Sequence, residues 1–188
     1  MKPPVYDFAR QHRVPPEVVE RAADVRLVVF DVDGVLTDGR LYFDGAGNEY
    51  KAFHARDGHG LKILMQSGVE VGIITGRNSL VVARRAEELG ITHLYQGALE
   101  KRPALDALLE RLALPADRAA YVGDDVVDLP VMRQVRLAVA VADAHPLVAQ
   151  YAHWRTPNAG GRGAARDVCE LILWAQGTLA TGLGVFPE

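Results

Sequence analysis

A short apolar, β-branched run that ends on an acid, Val25 to Phe30 followed by Asp31, governs how this chain can fold, because kindred runs return at Val69 to Thr75, Ala119 to Val122 and Leu137 to Val141. Such runs are strands buried on both faces. Between them lie segments with the 3.6-residue period of amphipathic helices: Gly60 to Ser67 stopped by Gly68, Leu80 to Leu89 stopped by Gly90, Lys101 to Leu112 with Pro103 in its first turn, and Val126 to Gln134. Alternating buried strands and helices predict an α/β fold, a doubly wound, Rossmann-like parallel sheet with helices on both faces. A weaker strand around His93 to Gln96 is expected to join it.

One stretch breaks the alternation. Leu41-Tyr42-Phe43 and Glu49 to Phe53 flank the turn-rich Asp44-Gly45-Ala46-Gly47-Asn48, a small β-hairpin inserted after the first strand. Pro15-Pro16 opens a short helix to about Ala23, a last helix runs from about Ala164 to Gln176, and the small-residue breaks after Gly177 predict a mobile tail over 178–188. With 188 residues, the chain is expected to be a single domain, 1–188, with 1–24 as an N-terminal extension. A formal net charge of −3 leaves no electrostatic footprint for nucleic acid or an anionic membrane, so neither is an expected partner. The lone Cys169, in an amphipathic segment, is expected to be a buried small residue; no apolar run approaches a membrane span and Met1-Lys2-Pro3-Pro4 lacks a signal-peptide core, which predicts a cytoplasmic protein. Trp154 and Trp174 read as core or interface packing.

In open parallel sheets ligands bind outside the carboxyl ends of the strands. The first run ends in Asp31-Val32-Asp33-Gly34-Val35-Leu36-Thr37-Asp38-Gly39, the second in Thr75-Gly76-Arg77 and the third in Gly123-Asp124-Asp125-Val126-Val127-Asp128, and Lys101 opens the helix between the last two. Carboxylates converging on one rim repel unless a hard cation neutralises them, and Mg²⁺ suits because it takes oxygen ligands. Asp31 and Asp33, two apart in an extended chain, can serve one reacting centre in different roles. One carboxylate can attack phosphorus, and its neighbour can protonate the leaving oxygen and then deprotonate water. Thr75 and Lys101 supply a hydroxyl and a point charge for the transferring phosphoryl oxygens. Asp-Gly pairs are also plain turn punctuation, the reading preferred for Asp44-Gly45. A calcium loop is disfavoured at Asp31, since Tyr42 stands where its twelfth-position Glu belongs.

These segments resemble the motifs of the haloacid dehalogenase superfamily of phosphotransferases: Asp31-Val32-Asp33-Gly34-Val35 the first, Thr75 the second, Lys101 the third, and Gly123-Asp124-Asp125 with Asp128 the fourth. The resemblance implies that Asp31 is the nucleophile and Asp33 the general acid and base. It also implies that Mg²⁺ is held by Asp31, the Asp33 carbonyl and Asp124, with Asp125 and Asp128 orienting that shell. Lys51-Ala52-Phe53, Arg56-Asp57-Gly58, Ile73 to Arg77, Gly90 to Gly97, Val141 to Pro146 and Gly160-Gly161-Arg162-Gly163 narrow the resemblance to a sugar-acid phosphatase family, from about Val25 to Gly177. That family removes the 8-phosphate of an eight-carbon 3-deoxy sugar acid on the way to the lipopolysaccharide inner core, as a cytoplasmic homotetramer. It implies substrate contacts at Asp33, His54, Ala55, Arg56, Asp57, Gly58, Lys62, Gly76, Arg77, Arg85 and Lys101. His54 and Lys62 stand where Asn and Arg are common, and both keep polar donors.

Residues 32–74 are already filled by the hairpin and a helix and no long insertion follows Thr75, so there is no cap domain. A neighbouring subunit is then the expected lid, with Leu41 to Phe53 pairing between chains. Among the cations, Arg77 is the best placed for a substrate carboxylate, while Arg84-Arg85 beside Glu87-Glu88 fits a solvated face as well as a ligand. His59 is a further candidate for a substrate hydrogen bond. Gly160 to Gly163, three glycines around one Arg, can approach a ligand or be an ordinary loop. Two other functions share much of this chemistry. A phosphatase for a nine-carbon sugar-acid 9-phosphate has the same catalytic motifs. A phospho-accepting receiver domain also uses an Asp, Mg²⁺, a Thr and a Lys, but its acceptor follows the third strand rather than the first.

Overall fold

A computed structural model describes residues 6–184. The five expected strands, with a short sixth at the edge, form one sheet of β1 (Leu27–Phe30), β4 (Glu70–Ile74), β5 (His93–Tyr95), β6 (Ala119–Gly123), β7 (Leu137–Ala140) and β8 (Trp154–Arg155), ordered β5-β4-β1-β6-β7-β8. Every neighbouring pair is parallel. β2 (Tyr42–Phe43) and β3 (Glu49–Tyr50) form the antiparallel hairpin. Side chains alternate across the central strands: Val28, Phe30, Val71, Ile73, Ala120 and Val122 enter one core, and Leu27, Val29, Ile74, Ala119 and Tyr121 the other.

The first core is covered by α1 (Phe8–Gln11), α2 (Pro16–Ala23), α3 (Ala55–Gln66), α4 (Leu80–Leu89) and α8 (Ala164–Ala175). The second is covered by α5 (Lys101–Leu112), α6 (Leu129–Met132) and α7 (Pro146–Tyr151). α4 and α5 match their predicted bounds. α3 starts earlier than its periodicity predicts, with His54 as N-cap, its Nδ1 accepting from the Arg56 amide at 3.3 Å. Its glycines serve close packing, since a Cβ on Gly60 would lie 2.8 Å from Arg166 Cδ and 3.4 Å from Cys169 Cβ, both on α8. Cys169 is free and fully buried there, and Trp154 packs into the same core.

Other segments depart from expectation for local reasons. The single helix expected over Val126 to Gln134 is a 3₁₀ turn, Val126–Asp128, followed by the one-turn α6, because Asp125 and Asp128 cap each other's backbone and restart the chain. α1, α7 and β8 are too short to show periodicity and escape the pattern; Phe8 of the N-terminal extension nonetheless packs on Trp154, ring centroids 6.3 Å apart. Where the residues after Gly177 predict a mobile tail, α9 (Leu179–Gly182) forms and buries Leu179 in the first core; residues 185–188 lie outside those described. Among the described residues no helix is long and apolar enough to cross a membrane.

The chain runs from β1 outward to β4 and β5, then returns through α5 to place β6 on the other side of β1. The direction of winding therefore reverses between β1 and β6, and such a switch point leaves a crevice at the strands' carboxyl ends.

Candidate active site

β1 and β6 deliver the first and fourth motifs to that crevice. Asp31 continues the face of Leu27 and Val29, toward α5, where the Lys101 ammonium lies 2.9 Å from Asp31 Oδ1 and donates at 2.7 Å to Asp128 Oδ1. Asp128 is fully buried and organises the fourth motif: its Oδ1 also accepts from the Tyr121 hydroxyl at 2.8 Å, and its Oδ2 accepts from the Asp124 and Asp125 amides at 3.0 and 3.2 Å. Asp125 turns to its own 3₁₀ turn, accepting from the Val126 amide at 2.7 Å. Gly34, at φ +101°, clears the space Asp124 occupies, since a Cβ there would fall 2.1 Å from Asp124 Oδ2.

Burial pushes the Asp31 carboxyl up to about 6, Lys101 opposing and Asp128 adding to the shift. Asp124 is pushed further, to about 8, by burial and then by the charges of Asp128 and Asp31. Burial works against the Lys101 ammonium, but Asp128 and Asp31 outweigh it and hold Lys101 above its ordinary value. Oxygens of Asp31, Asp124 and Asp128 come within 4.8 Å of one another, and Asp124 Oδ1 is buried without a hydrogen-bond partner. One ammonium thus faces three carboxylates. Asp128 has its oxygens filled by four donors, so the orphaned Asp124 oxygen and Asp31 are the groups that fit a hard divalent cation.

Asp31, Asp33, Thr75, Gly76, Arg77 and Lys101 line one open cleft of about 180 Å³, rimmed by the exposed Leu99 and Val127. Thr75 is buried, its carbonyl fixed by the Ala98 amide at 3.0 Å. Asp33 lies against Lys51, with Arg77 Nε 3.7 Å from its other oxygen. Lys51 and Glu49 stand outside the site residues expected from the sequence; their signal was the Lys51-Ala52-Phe53 segment, which periodicity assigns only to a hairpin strand.

The remaining expected substrate contacts separate into other environments. His54, Asp57, Gly58 and Arg85 line a closely packed crevice with Leu36, Phe53 and Leu61. Asp57 is buried beneath the start of α8, where Oδ1 accepts from the Arg166 amide at 2.8 Å and Oδ2 from the Gly163 amide at 3.3 Å. The cause of this placement is local: a helix N-terminus packed on α3 needs acceptors, and Asp57 supplies them. Gly58 likewise makes room, since a Cβ there would lie 2.3 Å from an Arg85 guanidinium nitrogen. Arg85 stacks over Phe53, 5.7 Å from the ring centroid, and pairs with Glu88 at 2.8 Å. Ala55, Arg56, His59 and Lys62 are exposed on α3. The Gly160 to Gly163 loop packs on the first motif: the Gly161 amide donates to the Val35 carbonyl at 2.9 Å, and a Cβ on Gly160 would fall 1.7 Å from the Gly34 carbonyl oxygen.

A family model for haloacid dehalogenase-like hydrolases matches residues 57–136. The chain is 52% identical over 171 residues to the 3-deoxy-D-manno-octulosonate 8-phosphate phosphatase KdsC of Yersinia pestis, covering 90% of this chain and 91% of that one. The crystal structure of the Yersinia pestis phosphatase superposes with a TM-score of 0.86 over 87% of this chain and 89% of its own, at 52% identity. A Moraxella catarrhalis phosphatase of the same name, solved with magnesium ion, phosphate ion and KDO, superposes with a TM-score of 0.88 at 40% identity, covering 91% of this chain and 98% of its own.

Proposed function

The chain belongs to the 3-deoxy-D-manno-octulosonate 8-phosphate phosphatase family of haloacid dehalogenase-like hydrolases, and from that membership and the site's geometry we propose that it hydrolyses this sugar-acid phosphate to 3-deoxy-D-manno-octulosonate and phosphate. The observation that carries the reading is the pair of under-neutralised carboxylates, Asp31 and Asp124, beside Lys101 at the topological switch point.

Asp31 is the nucleophile: an oxygen of its carboxylate bonds to phosphorus as the bond from phosphorus to the sugar oxygen breaks. Asp33, protonated, gives its proton to that departing oxygen. Water then attacks the aspartyl phosphate, Asp33 takes its proton, the Asp31 oxygen leaves, and phosphate is released with both carboxyls restored. Lys101 keeps the Asp31 carboxylate aimed and stands by the transferring oxygens, while Thr75 lines the same cleft. Mg²⁺, the cofactor, is held by Asp31, Asp124 and the Asp33 carbonyl, and supplies positive charge for the nucleophile and the phosphoryl oxygens. Arg77, half-exposed beside Asp33, is placed to meet the substrate's anionic groups.

The finer reading places the reaction in making the lipopolysaccharide inner core, in the cytoplasm and in a homotetramer. Support for assembly comes from the hairpin, whose Leu41, Tyr42, Phe43 and Tyr50 are about half exposed on a ribbon too small to stand alone. Phosphate release across a panel of sugar-acid phosphates, with Mg²⁺ and with chelator, tests the assignment. Preference for the eight-carbon 8-phosphate supports it, and preference for a nine-carbon 9-phosphate replaces it.

A further inference from the structure

We propose that Lys51 is a positioning residue for Asp33, gripping one oxygen of the acid–base carboxyl so that the other is presented to the substrate and then to water. The proposal rests on the assignment of Asp33 above and adds the residue that makes it work.

Lys51 lies just beyond β3, on a hairpin whose large side chains face solvent, yet its own side chain is only 1% exposed. A buried ammonium persists only where acceptors meet it. Here they are Asp33 Oδ1 and, at 3.4 Å, Glu49 Oε1. An Arg77 terminal nitrogen donates at 3.1 Å to the same Glu49 oxygen, and Arg77 Nε stands 3.7 Å from Asp33 Oδ2. The four groups make a closed ring, Asp33–Lys51–Glu49–Arg77. Glu49 is itself held by the hydroxyl of Ser79, the N-cap of α4.

The ring treats the two Asp33 oxygens unequally. Oδ1 is in direct contact with a fixed, desolvated lysine. Among the described residues, Oδ2 faces only the guanidinium of a side chain 43% exposed, at a distance beyond a hydrogen bond. The hairpin is already tied to the body through Glu49, which accepts from the Ser79 hydroxyl and from Arg77, so the reach of Lys51 to Asp33 is a separate commitment of the ammonium. Oδ2 is the oxygen left to move a proton, and a misplacement of about 1 Å at such a group can cost about 10²-fold in rate.

The test compares p-nitrophenyl phosphate in rapid mixing with steady-state turnover of the sugar-acid 8-phosphate, both with Mg²⁺. Nitrophenolate departs without a proton, so phosphorylation of Asp31 stays fast in Lys51→Met, while release of phosphate, which needs Asp33 as base, slows. The variant is expected to give a fast phase of one nitrophenolate per site followed by slow turnover. Its kcat on the 8-phosphate is expected to fall about 10²-fold with KM little changed. Lys51→Arg restores most of that loss, and adding Lys51→Met to Asp33→Asn changes nothing further. Because the fast phase counts competent sites, a partly unfolded preparation does not imitate the result; Lys51→Gln serves if the methionine variant fails to fold. Equal loss of the fast phase and of turnover, or a further loss in the Asp33→Asn background, overturns the proposal and leaves Lys51 as a hairpin anchor. Should Asp33→Asn alone hydrolyse the 8-phosphate at close to the unsubstituted rate, the acid–base assignment itself has failed.

Discussion

A carboxylate that has lost its water needs a cation, and the acids here differ in how far they have found one. Asp128 has four donors, Asp31 has Lys101, and Asp124 keeps an orphaned oxygen. Asp31 and Asp124, raised to about 6 and about 8 from an ordinary 3.8, hold protons in the folded chain that they release in the unfolded one. Without Mg²⁺ the stability they contribute is therefore present below about pH 4 and lost as pH rises toward about 8. Added Mg²⁺ binds the ionised pair, so its increment in Tm is expected to be larger at about pH 8 than at about pH 5. Scanning calorimetry at the two pH values checks this, and equal increments contradict it. Lys101→Ala leaves Asp31 and Asp128 without their shared ammonium, and is expected to lower stability by about 3 kcal/mol in the absence of Mg²⁺. The same variant should weaken inhibition by vanadate, a mimic of the transferring phosphoryl group; unchanged inhibition removes Lys101 from the site.

Between elements, the α3–α8 contact carries more of the sequence's motif content than its chemistry suggested. Arg56-Asp57-Gly58 reads as a substrate segment, yet Asp57 caps α8 and Gly58 gives space to Arg85. The glycine loop at 160–161 is similarly a backbone-to-backbone fit against Gly34 and Thr37, a reason for glycine that no ligand is needed to explain. Asp57→Ala is expected to lower the free energy of unfolding in urea by about 2 kcal/mol, moving the midpoint down, while KM for the sugar-acid phosphate barely moves. A large rise in KM with the midpoint unchanged would return Asp57 to the substrate side. Such roles are not legible from a motif, because an acid that meets a ligand and an acid that meets two amides of a distant helix look alike in one dimension.

On the largest scale, no cap domain covers the sheet among the described residues and its cleft stands open, and the exposed Leu41, Tyr42 and Phe43 of the hairpin are the surface on which the proposed assembly rests. Replacing Tyr42 and Phe43 with Ser is expected to shift the assembly toward smaller species in light scattering, and an unchanged mass places the interface elsewhere. Legible along the chain were the parallel sheet, both faces of its central strands, and the five residues at strand and helix ends, Asp31, Asp33, Thr75, Lys101 and Asp124. Each comes from a local rule: a buried strand reads as an unbroken apolar run, and the residues directly after it must emerge at the rim. It took the folded chain to set β1 and β6 side by side, to turn Lys51 inward from an exposed hairpin to Asp33, and to bring Asp57 under the N-terminus of α8. Those outcomes depend on which distant groups share a desolvated space, and the energy of a charge or an amide there is set by its partners, which periodicity and spacing along the chain do not encode.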